Sequence, residues 1–237
     1  MKETDLSVKW FNTVYFPKNR TARAVLYEEK TLPRLRKREI CFFTPWGPRY
    51  DWKDRGAIIA GNDAEVKTIG RLSQVLSDLK NNMPDKHFRW IFMGADLYGT
   101  RINGLPQEAV GSYFESLQDL IDKFLPDAEF RLWSTFDEAA ENYRQEVAQN
   151  FAEYTDNNLL ARATMTACVM GRNSDSKTYI VERIAEAILI ENKFSPVKIS
   201  CVARHKDDKV DFELPRLYVL PENLQAPWFP HEGIRKK

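Results

Sequence analysis

The chain has 237 residues, of which 43% are apolar and 29% charged, and its net charge is +1. These are the proportions of an ordinary soluble globular protein, large enough for one sizeable α/β domain. They exclude a whole-molecule field built for nucleic acid, and no repeat or low-complexity tract suggests a fibrous or array architecture.

Charge is unevenly spread along the chain. Residues 1–40 hold ten Lys/Arg against five Asp/Glu, with the run Arg34, Leu35, Arg36, Lys37, Arg38, whereas residues 137–160 hold six acids and one base. A basic patch of that kind can meet phosphates, or simply be a solvated face beside a strand. Cys41, Cys168 and Cys201 are widely spaced with no CxxC, which argues against a disulfide framework and a zinc site. The N-terminus has no apolar signal-like segment and no apolar run approaches a membrane span, so a cytoplasmic location is the default expectation. No composition break marks a second domain. We read one α/β domain over 1–237, with a basic segment at 1–38, a core at 39–220 and a tail at 221–237.

In chain order, 24–29 reads as a short strand or edge. Residues 39–44, a short apolar run stopped by proline, read as a buried strand. From Asp63 to Asn82, Val66, Ile69, Leu72, Val75, Leu76 and Leu79 recur at three- and four-residue steps and predict an amphipathic helix. A strand at 88–96 is followed by a helix at 105–125, with Tyr113, Leu117, Leu120, Ile121 and Phe124 in register. A third strand falls at 129–134. The stretch from 136 to Gly171 reads as mostly helical, and another helix covers 175–193. Strands at 197–203 and 216–220 close the series. This alternation implies a Rossmann-like, mostly parallel sheet with helices on both faces. Its ligand crevice then lies at the carboxyl ends of the strands.

The familiar cofactor signatures are missing: no GxGxxG follows a strand, and no GxxxxGK[ST], GxSxG or HExxH occurs. No metal-ligating cluster stands out. His205 alone of the three histidines falls on the predicted rim and is a candidate base. Thr44 ends the first strand, where a hydroxyl can serve as a nucleophile if a base is near, or can satisfy a loop amide. Tyr179, Glu182 and Glu186 fall at i, i+3 and i+7 of one helix and share a face. That face is either a proton-transfer surface or a solvated one. Asp96, with Tyr98 in the same loop, sits past the second strand and suits a substrate ammonium or hydroxyl, or a turn cap. Trp46, Arg49, Tyr50 and Asp51 crowd the loop after the first strand, as stacking and charged contacts to a ligand or as plain loop packing.

The stretch from Glu129 to Leu160 resembles the middle of tRNA-dependent cyclodipeptide synthases, and the chain length is similar to theirs. That family has a Rossmann-like core related to class I aminoacyl-tRNA synthetases. The loop from Thr44 to Tyr50 occupies the place of its serine-bearing loop, with Thr44 where the acyl-accepting serine stands. The family's Tyr-x-x-x-Glu-x-Pro helix corresponds to Tyr179 onward, although Glu182 follows at three residues and no proline comes after. The resemblance implies that two aminoacyl-tRNAs are joined into a cyclic dipeptide without cofactor or metal. Thr44 would take or orient the first aminoacyl group, and Tyr179 and Glu182 would hold its amino group and move protons. Asp96 and Asp51 would select a basic side chain, and Arg34, Arg36, Lys37 and Arg38 would meet the tRNA backbone. A second stretch, from Gly94 to Leu117, is similar to amino-acid isocyanide synthases. So is the series of 195–200, Lys209 and 226–231, although no lysine lies between Glu39 and Trp52. That resemblance implies conversion of a free amino acid, with a sugar phosphate, to an isonitrile. The sequence equally admits a Rossmann module that binds a small molecule or RNA without chemistry.

Overall fold

A computed structural model of the chain describes residues 33–48, 63–155, 176–200 and 216–218. Five strands form one sheet in the order β3-β2-β1-β4-β5, with every neighbouring pair parallel. They are β1 (Glu39–Trp46), β2 (His87–Gly94), β3 (Ala128–Leu132), β4 (Val197–Ser200) and β5 (Arg216–Tyr218). The helices are α1 (Asp63–Asn82), α2 (Gln107–Phe124), α3 (Asp137–Gln149), the single turn α4 (Phe151–Tyr154) and α5 (Ser176–Phe194). The chain lays down β1, β2 and β3 outward in one direction and then returns to place β4 on the other side of β1. The order therefore reverses at β1, and the carboxyl ends of β1 and β4 flank the crevice where such sheets take ligands.

Strand alternation divides the side chains of β1 between two cores. Ile40, Phe42 and Trp46 pack with Trp90 and Phe92 of β2, Val197 and Ile199 of β4, and the apolar faces of α1 and α2. Phe43 joins Ile91 and Met93 of β2 on the opposite face, beneath Trp133, Phe136, Ala140 of α3 and Leu189 and Ile190 of α5. Val147 of α3 meets Ile180 and Ile184 of α5 in a satellite cluster. The result is a three-layer α/β/α sandwich, as the alternation of elements implied.

The differences from the sequence reading lie at element ends. β1 runs through Pro45 to Trp46, two residues beyond the expected stop. Its pairing with β4 uses Phe42 and Phe43, below the proline, so the missing proline N–H interrupts no bond there. Strand β2 stops at Gly94, and the chain turns at once into a five-residue π-helical turn, Tyr98–Ile102. Strand β3 yields to a 3-10 turn, Trp133–Phe136, and the long helical stretch breaks at Asn150. The strand read at 24–29, the ends of those read at 197–203 and 216–220, and the helical stretch beyond 155 lie outside the described residues.

Gly94 ends β2 where two layers meet. A Cβ there would come within 2.9 Å of Leu132 Cδ2 and of the buried Phe114 ring. Gly94→Ala is expected to cost about 1–3 kcal/mol by overpacking, measured by urea unfolding against the wild type.

Candidate functional site

The carboxyl ends of β2 and β3, together with the first half of α5, build a polar cluster inside an apolar face. Helix α5 runs antiparallel to the strands, so its first turns lie at the rim. Glu182 and Glu186 point inward and are each only 8% exposed. A carboxylate in such surroundings needs charge-assisted partners or it takes up a proton. The two glutamates meet that requirement differently.

Glu182 is fully engaged. Trp133, buried in the turn after β3, donates its indole N–H to Glu182 Oε1 at 2.6 Å. Arg144 of α3 donates through Nε to Oε2 at 2.6 Å and through a terminal nitrogen to Oε1 at 3.0 Å. The same guanidinium donates to Asp137 Oδ1 at 2.6 Å and to Glu141 Oε2 at 3.1 Å. Asp137 also accepts from Arg101 of the π-helical turn at 2.9 Å. The hydrogen bonds from Arg101 and Arg144 lower the Asp137 carboxyl, while burial opposes the Arg144 charge but is outweighed by Glu182, so that guanidinium is raised. Glu182 is therefore one member of a five-residue ion network of Arg101, Asp137, Glu141, Arg144 and Glu182.

Glu186 has a softer setting. Its Oε2 accepts the phenol of Tyr98 at 3.0 Å, and Tyr98 is itself buried. Burial raises the Glu186 carboxyl, with Arg183 and Lys198 pulling the other way through their charge and Tyr98 through its hydrogen bond. Burial, then the neighbouring Glu186, drives the Tyr98 phenol well above its ordinary value. Tyr179 closes the group: its ring meets Tyr98 edge-on at 6.1 Å, and its hydroxyl accepts from Arg183 at 3.2 Å. Lys198 alternates with Val197 and Ile199 on β4, so it faces the α5 side. Together these groups form a carboxyl held toward its neutral form, two phenols and two cations beside the strand-order reversal. They can hold an ammonium or an anion and exchange protons.

Thr44 is not brought to this cluster. It shares the α1–α2 face with Phe42 and Trp46, is 1% exposed, and its hydroxyl accepts the Trp90 indole N–H at 2.8 Å. The sheet separates it from Tyr179, Glu182 and Glu186. Trp46 is likewise buried on that face and donates to the Tyr113 hydroxyl at 2.8 Å, which donates to Glu65 at 3.2 Å. Its ring packs in the core and does not line the rim. Asp96 uses Oδ1 to accept the backbone N–H of Ser134 at 3.0 Å, tying the β2 loop to the turn after β3. Tyr98, Tyr179 and Glu186 do come together. The basic run sits before β1, at the opposite edge of the sheet from the rim. There Arg34 clasps the end of α5 through Glu191 at 3.0 Å and the carbonyl of Pro196, while Arg36, Lys37 and Arg38 are exposed. Arg49, Tyr50, Asp51 and His205 lie outside the described residues. Among the described residues no group of metal-ligating side chains clusters, and no helix is long and apolar enough to cross a membrane.

Sequence reasoning missed Arg144, Trp133, Arg101, Arg183 and Lys198. For Arg144 a signal existed: it is the single base among the six acids of residues 137–160. A lone cation in an acidic stretch is a natural hub. Lys198 reads as an ordinary strand lysine until the alternation of β4 is known.

No protein-family model matches the chain, and no curated protein matches it by sequence. Solved structures do match by fold. The PvcA protein of Pseudomonas aeruginosa superposes with a TM-score of 0.61 at 14% identity, over 93% of this chain and 86% of that one. The tyrosyl-tRNA synthetase of Archaeoglobus fulgidus, solved with L-tyrosine, superposes with a TM-score of 0.51 at 16% identity, over 81% of this chain. The present chain covers 58% of that synthetase. These likenesses establish the shared α/β architecture.

Two stability outcomes follow from the glutamate pair. Arg144→Met leaves Glu182 buried against Trp133 alone and is expected to destabilise by about 2–4 kcal/mol, near the lower end of what breaking a buried pair costs because both partners keep some solvent contact; urea unfolding measures it. Glu186, raised in the fold, contributes stability that is fully present below its ordinary value of 4.5 and is lost as pH rises through the folded value. Glu186→Gln keeps an acceptor for Tyr98 and cannot ionise. Its melting temperature relative to wild type is therefore expected to rise between pH 4 and pH 8, read by thermal melts across that range.

Proposed function

We propose that this chain is a biosynthetic enzyme that works at the α-amino nitrogen of an amino acid. The observation that carries the reading is Glu186, a buried carboxyl that accepts the Tyr98 phenol beside Tyr179, Arg183 and Lys198, at the rim where this architecture takes ligands. A carboxyl raised by burial is matched to taking a proton from an ammonium and returning it during the reaction. Tyr98 and Tyr179 then orient the nitrogen. Glu182, held by Arg144 and Trp133, acts as a positioning residue that fixes α5. Thr44 is structural, as the acceptor for Trp90.

Both families that the sequence resembles act at this nitrogen. In cyclodipeptide synthesis it attacks an aminoacyl ester; in isonitrile formation it becomes the nitrogen of the N≡C group. The likeness to a synthetase complexed with L-tyrosine supports an amino-acid scaffold in either case. Isonitrile formation from a free amino acid is the better supported of the two. The tRNA-dependent route relies on Thr44 as acyl acceptor and on the basic run as tRNA contact. The first is across the sheet from α5 and the second is at the opposite edge.

Mass spectrometry of extracts from cells expressing wild type and Glu186→Gln tests the assignment. An N≡C-bearing amino-acid derivative is expected with wild type, and about 100-fold or more less of it with the variant. A cyclic dipeptide in its place overturns the isonitrile assignment in favour of the tRNA-dependent route. No new amino-acid derivative of either kind overturns the enzymatic reading.

A further inference from the structure

Strand β3 (Ala128–Leu132) forms one margin of the sheet, and among the described residues no strand lies beyond it. All five of its residues keep solvent contact, whereas the last five of its neighbour β2 are buried. An open sheet edge leaves backbone N–H and C=O groups ready to pair with another strand. Alternation sorts the side chains of β3 between two faces. Ala128, Phe130 and Leu132 are half-buried on the α2 side, with the Phe130 ring 6.1 Å from that of Phe114, and Leu120 and Phe124 of α2 continue this apolar fringe. Glu129 and Arg131 lie on the opposite face. There Glu129 Oε2 accepts from Arg89 and from Arg131, each at 3.1 Å. The Arg89 and Arg131 guanidinium carbons stand 5.3 and 5.8 Å from the centre of the Phe194 ring.

Which strand fits this edge is decided by the side chains that meet. In an antiparallel pair, directly opposite residues share a face, and opposite charges there stabilise while like charges destabilise. A second copy of β3, antiparallel about a two-fold axis at Phe130, sets Phe130 against Phe130, Ala128 against Leu132 and Glu129 against Arg131. An axis at Glu129 sets two carboxylates opposite each other, and one at Arg131 sets two guanidinium groups opposite each other. An axis between Phe130 and either neighbour sets the ring against a charge. Of these registers, the one at Phe130 matches apolar to apolar and acid to base throughout. We propose that this chain forms a two-fold symmetric dimer by antiparallel pairing of two β3 edges, registered on Phe130 and held by reciprocal Glu129–Arg131 contacts. Antiparallel pairing turns the two rims in opposite directions, so both polar clusters stay open. The contact uses none of the residues around Glu186 and holds whatever those residues bind.

Sedimentation velocity of the full chain over a concentration series tests this. The wild type is expected to be a dimer that dissociates on dilution. Glu129→Arg and Arg131→Glu each set like charges opposite one another at two symmetry-related places, and each should weaken the dimer about tenfold or more. An equimolar mixture of the two variants restores acid against base at both places. It is expected to regain a dimer at a concentration where neither variant forms one alone, a rescue that mere loss of stability does not give. A wild type that is monomeric throughout overturns the proposal. So does a dimer that survives both substitutions, which places the contact elsewhere, and so does a mixture of folded variants that stays monomeric. Far-ultraviolet circular dichroism checks folding, and where a charge variant is unfolded Phe130→Cys reads the same register. On the axis the two introduced thiols face each other, with Cβ atoms about 4.5–5.5 Å apart. Mild oxidation should then give a covalent dimer on a non-reducing gel that the wild type, with Cys41, Cys168 and Cys201, does not give. Absence of that covalent dimer overturns the pairing.

Discussion

Two carboxyl groups on one helix, turned into an apolar sheet face, impose the constraint from which the rest of the site follows. Burying a carboxylate costs several kcal/mol unless strong donors replace the lost water. Glu182 obtains those donors from Trp133 and Arg144, and in doing so pins α5 against the turn after β3 and against α3. Glu186, one turn further along, accepts the Tyr98 phenol, and the charges of Arg183 and Lys198 favour its ionised form against the effect of burial. The helix is held by one glutamate, while burial raises the carboxyl of the other. A pair of identical residues thus divides through environment alone into one held by ion pairs and one raised by burial, the general logic by which one fold can support acid and base roles.

The parity of β1 decides what can cooperate across the sheet. Successive strand side chains point to opposite faces, so Thr44 is bound to the fate of Phe42 and Trp46, and Phe43 to that of the α5 face. The hydroxyl of Thr44 satisfies Trp90, whose ring stacks on Phe92 at 5.6 Å and lies 5.4 Å from Phe42. That arrangement fills the space beneath α1 and α2 with aromatic rings whose N–H groups are satisfied in place. Trp46, Tyr113 and Glu65 repeat the device at the rim end of the same face. The opposite face has fewer large rings over β1 and receives the polar residues of α5 instead. One face is organised for packing and the other for polar contacts.

Much of this was legible in the residues. The helix over 63–82 carried a clean periodicity because its apolar positions face one layer, and the strand at 39 was legible as a continuous apolar run because both of its faces are covered. The joint placement of Tyr179, Glu182 and Glu186 followed from helical spacing, and spacing is a local property. What spacing could not supply was the partner set. Whether Glu182 meets solvent, substrate or Arg144 depends on how α3 packs on α5, and only the single base in an acidic run hinted at it. Thr44 was misleading for a related reason. Its place at the end of a strand suggested a rim, but β1 continues for two residues and the face was set by parity rather than by proximity to the loop. The π-helical turn that delivers Tyr98 has no sequence marker beyond the glycine at its second position.

The polar contacts at the rim also close on themselves, and this bears on how the site can work. The carbonyl of Trp46 accepts from Ala95, Asp96 accepts from Ser134, Trp133 in the same turn donates to Glu182, and Tyr98 returns from α5 to the loop that began after β2. Pro48 packs close against Gly99, where a Cβ would approach the proline ring to 2.9 Å, so the chain just past β1 rests directly on the π-helical turn. Two strand ends and one helix are thereby joined in a ring of hydrogen bonds, to which the end of β1 is tied through Ala95, with Arg101 and Asp137 bracing its outer side. In a low-dielectric setting such networks reinforce one another and resist displacement of any single member. A site built this way holds its acid, phenols and cations in place before a ligand arrives, so little binding energy is lost to ordering them. Tyr98 serves both as a strut of the ring and as the partner of Glu186. The position of the Glu186 carboxyl is therefore set by the same contacts that hold the sheet ends together.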